Sequence, residues 1–361
     1  MNMTMKKTLL MSALLSVARA ACSKAGPSAD GGGECVLTAR FGLPATRQTA
    51  DRESIRNVQV FVFRAGGGGD TGVLDAAASA GFDRETGPAD DCRDLCVKCT
   101  SGLREIWVVV NDSRDRTSGD TAVRTKVDFL ALTHDLEQSA PDCLLMIGRS
   151  NPESPDPTVR LTEGAMELQI PVHRLAASVV LESVRNAFVS PAYRDPGIFR
   201  LEAAYLLNVP GRINFGESAD PAALDHPFWY ARLEPERSGP RTALLYGDLG
   251  GTVLDYGAVY DTPHTFYAYP NDCAPSGAAG FSPRATLLVL EASVQYPDGR
   301  MTCYYPVELG DGLQSNRQYR INLTVHRPGA RDPGQAVGFG EATPEIHVSD
   351  WDDGDIYHSE I

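Results

Sequence analysis

The chain has 361 residues and a formal charge of −14, with 33 basic against 47 acidic residues and no basic stripe. That balance excludes nucleic-acid binding and docking on anionic lipid as organising functions. The length is generous for one hydrophobic core and comfortable for two. The 34 glycines and 24 prolines cut the apolar runs into short pieces, the profile of an all-β protein rich in turns.

The N-terminus reads as an export signal. Met5-Lys6-Lys7 is cationic, Leu9 to Val17 is apolar, and Ala18-Arg19-Ala20 places small residues where a signal peptidase reads them. The apolar run is too short to span a bilayer. Two cleavage chemistries compete. An ordinary signal peptidase would cut after Ala20. Ala20-Ala21-Cys22-Ser23 suits a lipoprotein peptidase, which leaves a diacylated Cys22, although Arg19 stands where such sites carry an apolar residue. Lipidation at Cys22 is the preferred reading, with residues 1–21 as signal peptide and the Ser-, Gly- and Asp-rich residues 22–34 as a flexible tether. No later segment has the run of apolar residues a membrane helix needs, so attachment to the outer membrane would rest on that lipid.

Strand signals follow in chain order. Cys35 to Phe41 reads as a strand, and Arg47-Gln48 lies in the polar stretch after it. Asn57 to Phe63 alternates and then turns wholly apolar, and the Gly66–Gly69 loop comes next. Leu95 to Lys98 and Leu103 to Val110 read as a hairpin joined at Ser101-Gly102. Val123, Val127, Leu130, Leu132 and Leu136 have helical spacing and predict one helix within 121–136. Strands return at Cys143 to Ile147 and Met166 to Val172. A second series covers Leu175 to Val184, Leu201 to Val209, Phe266 to Tyr269, Arg284 to Tyr296, Met301 to Glu308, Tyr319 to His326 and Glu345 to Trp351. The segment Gly211 to Ala258 is expected to hold little regular structure. Two sets of about seven short strands predict two β-sandwiches in tandem, residues 35–172 and 173–361, the second carrying a C-terminal tail.

The search for chemistry returns little. Seven histidines are scattered, and no H-E-x-x-H, G-x-S-x-G or Walker loop is present. No catalytic residue, cofactor or metal is expected. Cys92, Cys96 and Cys99 have the C-x3-C-x2-C spacing of a radical iron–sulfur enzyme, but the motif sits in an exported chain just before a strand, with no alternating barrel behind it. Exported cysteines usually pair. Cys273–Cys303 is one candidate bridge and two of the Cys92 cluster another, with the connectivity open. Asp350 to Asp355 with Glu360 imitates a calcium loop, but the spacing is one residue short and a solvated acidic turn is the simpler reading. Trp229 and Tyr230 could stack on sugar in a glycan-binding surface protein, although no carboxylate pair accompanies them.

Several phrases in order resemble the fimbrillin family of Bacteroidales, the type V pilins. They include Ile55 to Phe63, Ile106 to Asn111, Leu145 to Gly148, Ile170 to Ala177, Tyr205 to Val209, Tyr269-Pro270-Asn271, Tyr304 to Val307, Asn316 through Val325, and the ending Val348 to Trp351. The cysteine cluster departs from the family pattern. The resemblance implies two transthyretin-like sandwiches and a non-enzymatic role. It also implies partners: neighbouring fimbrial subunits, an arginine-specific surface protease, the outer membrane through the lipid on Cys22, and a host glycan or protein ligand. On this resemblance the protease cuts between Arg47 and Gln48, with Arg40, Arg52 and Arg56 as alternatives, and removes the first strand. A donor strand built from Ile346, Val348, Trp351, Ile356, Tyr357 and Ile361 then enters the next subunit. The competing reading is that Glu345 to Trp351 completes its own sandwich.

Overall fold

The computed structural model describes residues 32–42, 55–66, 69–82, 94–216, 229–230, 244–271, 285–309, 312–338 and 340–351. It is all-β, as the composition predicts. The N-terminal half supplies β1 (Glu34–Gly42), β2 (Val58–Arg64), β3 (Leu74–Ala80), β4 (Asp94–Thr100), β5 (Gly102–Val110), β6 (Thr133–Asp135), β7 (Met146–Arg149), β8 (Thr158–Leu161) and β9 (Gly164–Arg174). Hydrogen bonding runs β3-β2-β5-β7-β9-β1-β4, with β8 on the free half of β5.

This strip folds at β9 into two layers around one core. Residues 164–171 of β9 pair with β1, and Val172 to Arg174 pair with β7. Pro171, which has no N–H to give a ladder, sits where the strand changes partner. The crossing is tight: a Cβ on Gly148 of β7 would lie 2.3 Å from the Pro171 carbonyl oxygen. Leu37, Phe41 and Val97 from one layer thereby face Val58, Val60, Val62, Ile106 and Val108 from the other.

Two expectations fail here for identifiable reasons. β4 and β5 form no hairpin. β4 pairs with β1, and Ser101-Gly102 carries the chain across to the other layer. β4 alternates buried and exposed residues, whereas β5 is buried on both faces and so belongs in the centre of its layer, between β2 and β7. The expected helix shrinks to α1 (Lys126–Leu130). The Thr125 hydroxyl accepts from the Asp128 N–H at 3.1 Å and starts the helix. Val127 of the predicted apolar stripe is 76% exposed, and only Phe129 anchors the turn. The next residues are drawn into β6 by pairing with a strand of the second half, which outweighs a short helix's weak propensity.

The second half contains β10 (Ala177–Asn186), β11 (Phe199–Leu207), β12 (Val209–Pro210), β13 (Arg212–Asn214), β14 (Trp229–Tyr230), β15 (Tyr246–Val253), β16 (Val259–Tyr260), β17 (His264–Ala268), β18 (Leu287–Tyr296), β19 (Gly299–Glu308), β20 (Arg317–Val325) and β21 (Ala342–Asp350). One layer is β10 flanked by β20 and β21 on one side and by β16 and β17 on the other. The second layer is β15-β11-β18-β19. Among the described residues of 211–258, where little structure was expected, lie three strands. β15 is the longest of them, and its glycines disguise it. Gly250 and Gly251 adopt positive φ where the β11–β15 register slips.

The two halves share a core. Phe61, Phe63 and Trp107 point away from the first sandwich and meet Phe129, whose ring lies 5.5 Å from Phe215. β6 pairs with β13, setting Asp135 opposite Arg212 and His134 opposite Ile213. The Arg212 guanidinium donates to both Asp135 oxygens. His134 is buried, with Nδ1 2.7 Å from the Tyr269 hydroxyl and no hydrogen-bond partner for Nε2 among the described residues. Burial pushes its pKa down to about 4, against the opposing pull of Asp112 and Asp135.

A buried ionic network closes the first sandwich at one end. Asp75 on β3 accepts from the Thr100 N–H at 2.7 Å, the Thr100 hydroxyl at 2.8 Å and Arg64 Nε at 3.0 Å, with Arg104 Nε at 3.4 Å. Because β3 and β4 lie in opposite layers, this carboxylate ties the layers together. Burial raises its pKa, but the Thr100 donors, Arg104 and Arg64 outweigh burial and hold it below the ordinary aspartate value.

Replacing Asp75 by Asn is expected to destabilise the protein by about 3–5 kcal/mol in chemical denaturation, because it removes the carboxylate that neutralises the buried Arg104 and one of the two that pair with Arg64. His134 has a folded-state pKa below its unfolded one, so its contribution is complete above about pH 6.5 and is lost as pH falls toward about 4. The midpoint of denaturation should therefore drop between pH 7 and pH 5. His134→Gln should flatten that dependence.

Candidate functional site

β1 occupies a slot rather than an edge. It runs antiparallel to β4, from Glu34 opposite Thr100 to Arg40 opposite Asp94, and parallel to β9, from Cys35 beside Gly164 to Gly42 beside Pro171. β4 has no other strand partner among the described residues. Cys35, Leu37, Ala39 and Phe41 are sealed in the core, as the alternation of a half-buried strand requires. On the outer face Arg40 Nε meets Glu167 at 3.1 Å, and the Thr38 hydroxyl lies 3.5 Å from Cys96 Sγ.

A strand held on both edges has a definite consequence if it leaves. β4 and β9 would each expose a row of unpaired N–H and C=O groups, with four apolar pockets between them. Such a groove accepts an extended peptide whose alternate residues fill the pockets and whose backbone completes the two ladders.

The other expected site residues fall as follows. Cys22, Arg47, Gln48, Ile356, Tyr357 and Ile361 lie outside the described residues. Ile346 and Val348 belong to β21, which pairs along its length with β20, and both pack on the second sandwich. Trp351 is fastened at the junction of the halves. Its N–H donates to the Asn316 carbonyl at 3.0 Å, its ring stacks on Tyr267 at 5.7 Å, and Arg174 from the end of β9 lies 4.5 Å above it. Asp350 is paired with Arg317. No cluster of three or more metal-ligating side chains occurs among the described residues.

Both expected cysteine bridges draw on positions outside the described residues, where Cys92 and Cys273 lie. Cys303 is a buried thiol on β19, donating to the Tyr305 hydroxyl at 3.8 Å, and its candidate partner Cys273 lies outside the described residues. Cys96 and Cys99 point to opposite faces of β4, so they do not face each other. Cys99 instead stands opposite Cys35. The Asp75 network and the Cys35–Cys99 pair both escaped sequence reasoning. Each joins residues from strands whose pairing is set only by the tertiary fold.

No protein-family model matches the chain, and no curated protein sequence matches it significantly. Solved structures do. Fimbrillin from Porphyromonas gingivalis W83 superposes with TM-score 0.58 at 14% identity, over 88% of this chain and 97% of that one. A candidate cell adhesion protein from Bacteroides eggerthii gives 0.59 at 19%, over 89% and 97%. Another, from Parabacteroides distasonis, gives 0.59 at 15%, also over 89% and 97%. Over most of its length, the chain has the fold of the Bacteroidales fimbrillins.

Proposed function

We propose that the chain is a structural fimbrial subunit, exported as a lipoprotein and held at the outer membrane through Cys22. An arginine-specific surface protease then cuts between Arg47 and Gln48 and so frees β1. The position of β1, inserted along both edges and followed by the polar stretch carrying Arg47 and Arg52, supports this reading more than any other observation. The vacated slot takes a strand from the C-terminal segment of a neighbouring subunit, drawn from Ile346, Val348, Trp351, Ile356, Tyr357 and Ile361. Donor and acceptor come from opposite ends of one chain, so the contact is heterologous and repeats into a fibre instead of closing. The fibre displays its subunits at the cell surface, where they support adhesion to a host glycan or protein.

A second reading within the same family is an anchor or tip adhesin. The ladder between β20 and β21 and the docking of Trp351 favour it, because a strand already used in its own sandwich is costly to lend.

N-terminal sequencing of surface-recovered protein distinguishes the two. A start at Gln48, with ladders of polymer appearing after treatment with an arginine-specific protease, is the expected result. A lipidated start at Cys22, with no polymer after cleavage, would falsify the stalk reading and favour an anchor.

A further inference from the structure

Cys35 and Cys99 occupy directly opposed positions in the antiparallel ladder of β1 and β4. Both side chains are in the core of the first sandwich, Cys35 fully buried and Cys99 6% exposed. Being directly opposed, they project from the same face of the ladder into that core. Opposed residues in such a ladder have Cα atoms about 4.5–5.5 Å apart, inside the roughly 4.4–6.8 Å that a disulfide spans, so bridging them needs little backbone movement. The structure holds them as thiols, while the export signal directs the chain to a compartment where paired cysteines oxidise.

We propose that Cys35 and Cys99 form a disulfide in the exported protein, a covalent staple fixing β1 to β4. The bond forms by thiol–disulfide exchange with an external protein or small-molecule disulfide. One thiolate attacks that disulfide, and the second cysteine resolves the mixed intermediate. One S–S bond then joins the strands, and the external disulfide leaves as two thiols carrying the two protons. The exchange takes place while β1 is docking. Once the strand is seated both cysteines are buried, and burial pushes the Cys99 thiol well above its ordinary pKa, suppressing the reactive thiolate. The same shielding protects the finished bond from reductants.

The consequence rests on the strand-release reading above. A protease cut between β1 and β2 breaks the peptide connection on one side of β1 but leaves the strand attached to β4 through sulfur. Release of β1 then requires proteolysis followed by reduction by an external dithiol, which reaches the sulfurs only once the cut lets the strand fray, so the slot opens under two controls in sequence.

The test uses the full mature chain secreted through an oxidising compartment, denatured and alkylated without reductant, then digested with trypsin. The expected product is a linked pair of peptides covering residues 25–40 and 99–104, which separates on reduction with dithiothreitol. Recovery of both peptides singly alkylated overturns the proposal. In a second measurement the folded protein is nicked by an arginine-specific protease and run on denaturing gels. The β1 fragment should remain with the body until dithiothreitol is added, and Cys99→Ala should release it without reductant. Release from the wild-type chain without reductant overturns the staple, whether or not the variant folds. Linked peptides in a chain that never polymerises uphold the staple and count against the fimbrial reading alone.

Discussion

The first sandwich depends on one insertion, the seating of β1 between β4 and β9. Without it β4 has no ladder among the described strands, and the layer it belongs to ends at β9. The same strand delivers Cys35, Leu37, Ala39 and Phe41 to the core, so hydrogen bonding and apolar burial are lost or kept together. That coupling makes the strand replaceable only by something similar in form: an extended segment with apolar residues at alternate positions.

The rest of the molecule is arranged around keeping that slot in register. Asp75 clamps β3 to the end of β4, the strand that would be left behind, through donors from both layers. β9 is common to both layers, and its far end reaches Arg174, which lies over Trp351. Asn316, at positive φ, accepts from the Trp351 N–H through its carbonyl and from the Arg174 N–H through its side chain. The C-terminal strand and the strand beside the slot therefore meet at a single junction. The neutral, buried His134 and the Arg212–Asp135 pair also bind the two halves.

Much of the architecture was legible in the sequence. β2, β9, β10, β18, β19, β20 and β21 lie close to where alternation and apolar runs place them, because a period of two is imposed by a buried face and needs no knowledge of the partner strand. β15 was hidden by its own glycines, and β3 by a run of alanines that alternates too weakly to signal a face. The helix was overread because Val123, Leu132 and Leu136 are spaced for a helix but reach the shared core from outside α1, while Val127 inside it faces solvent.

The sequence by itself determined the fold class and the presence of an extended apolar segment, Cys35 to Phe41, followed by arginines. These are local properties of period, composition and turn chemistry. Only the tertiary structure decided that this segment is enclosed on both sides, that the chain crosses between layers after β4 instead of turning back, and that Cys35 faces Cys99. Those facts are set by which strands become neighbours, and pairing across a chain of this length is fixed by the closing of a common core, which no local pattern encodes.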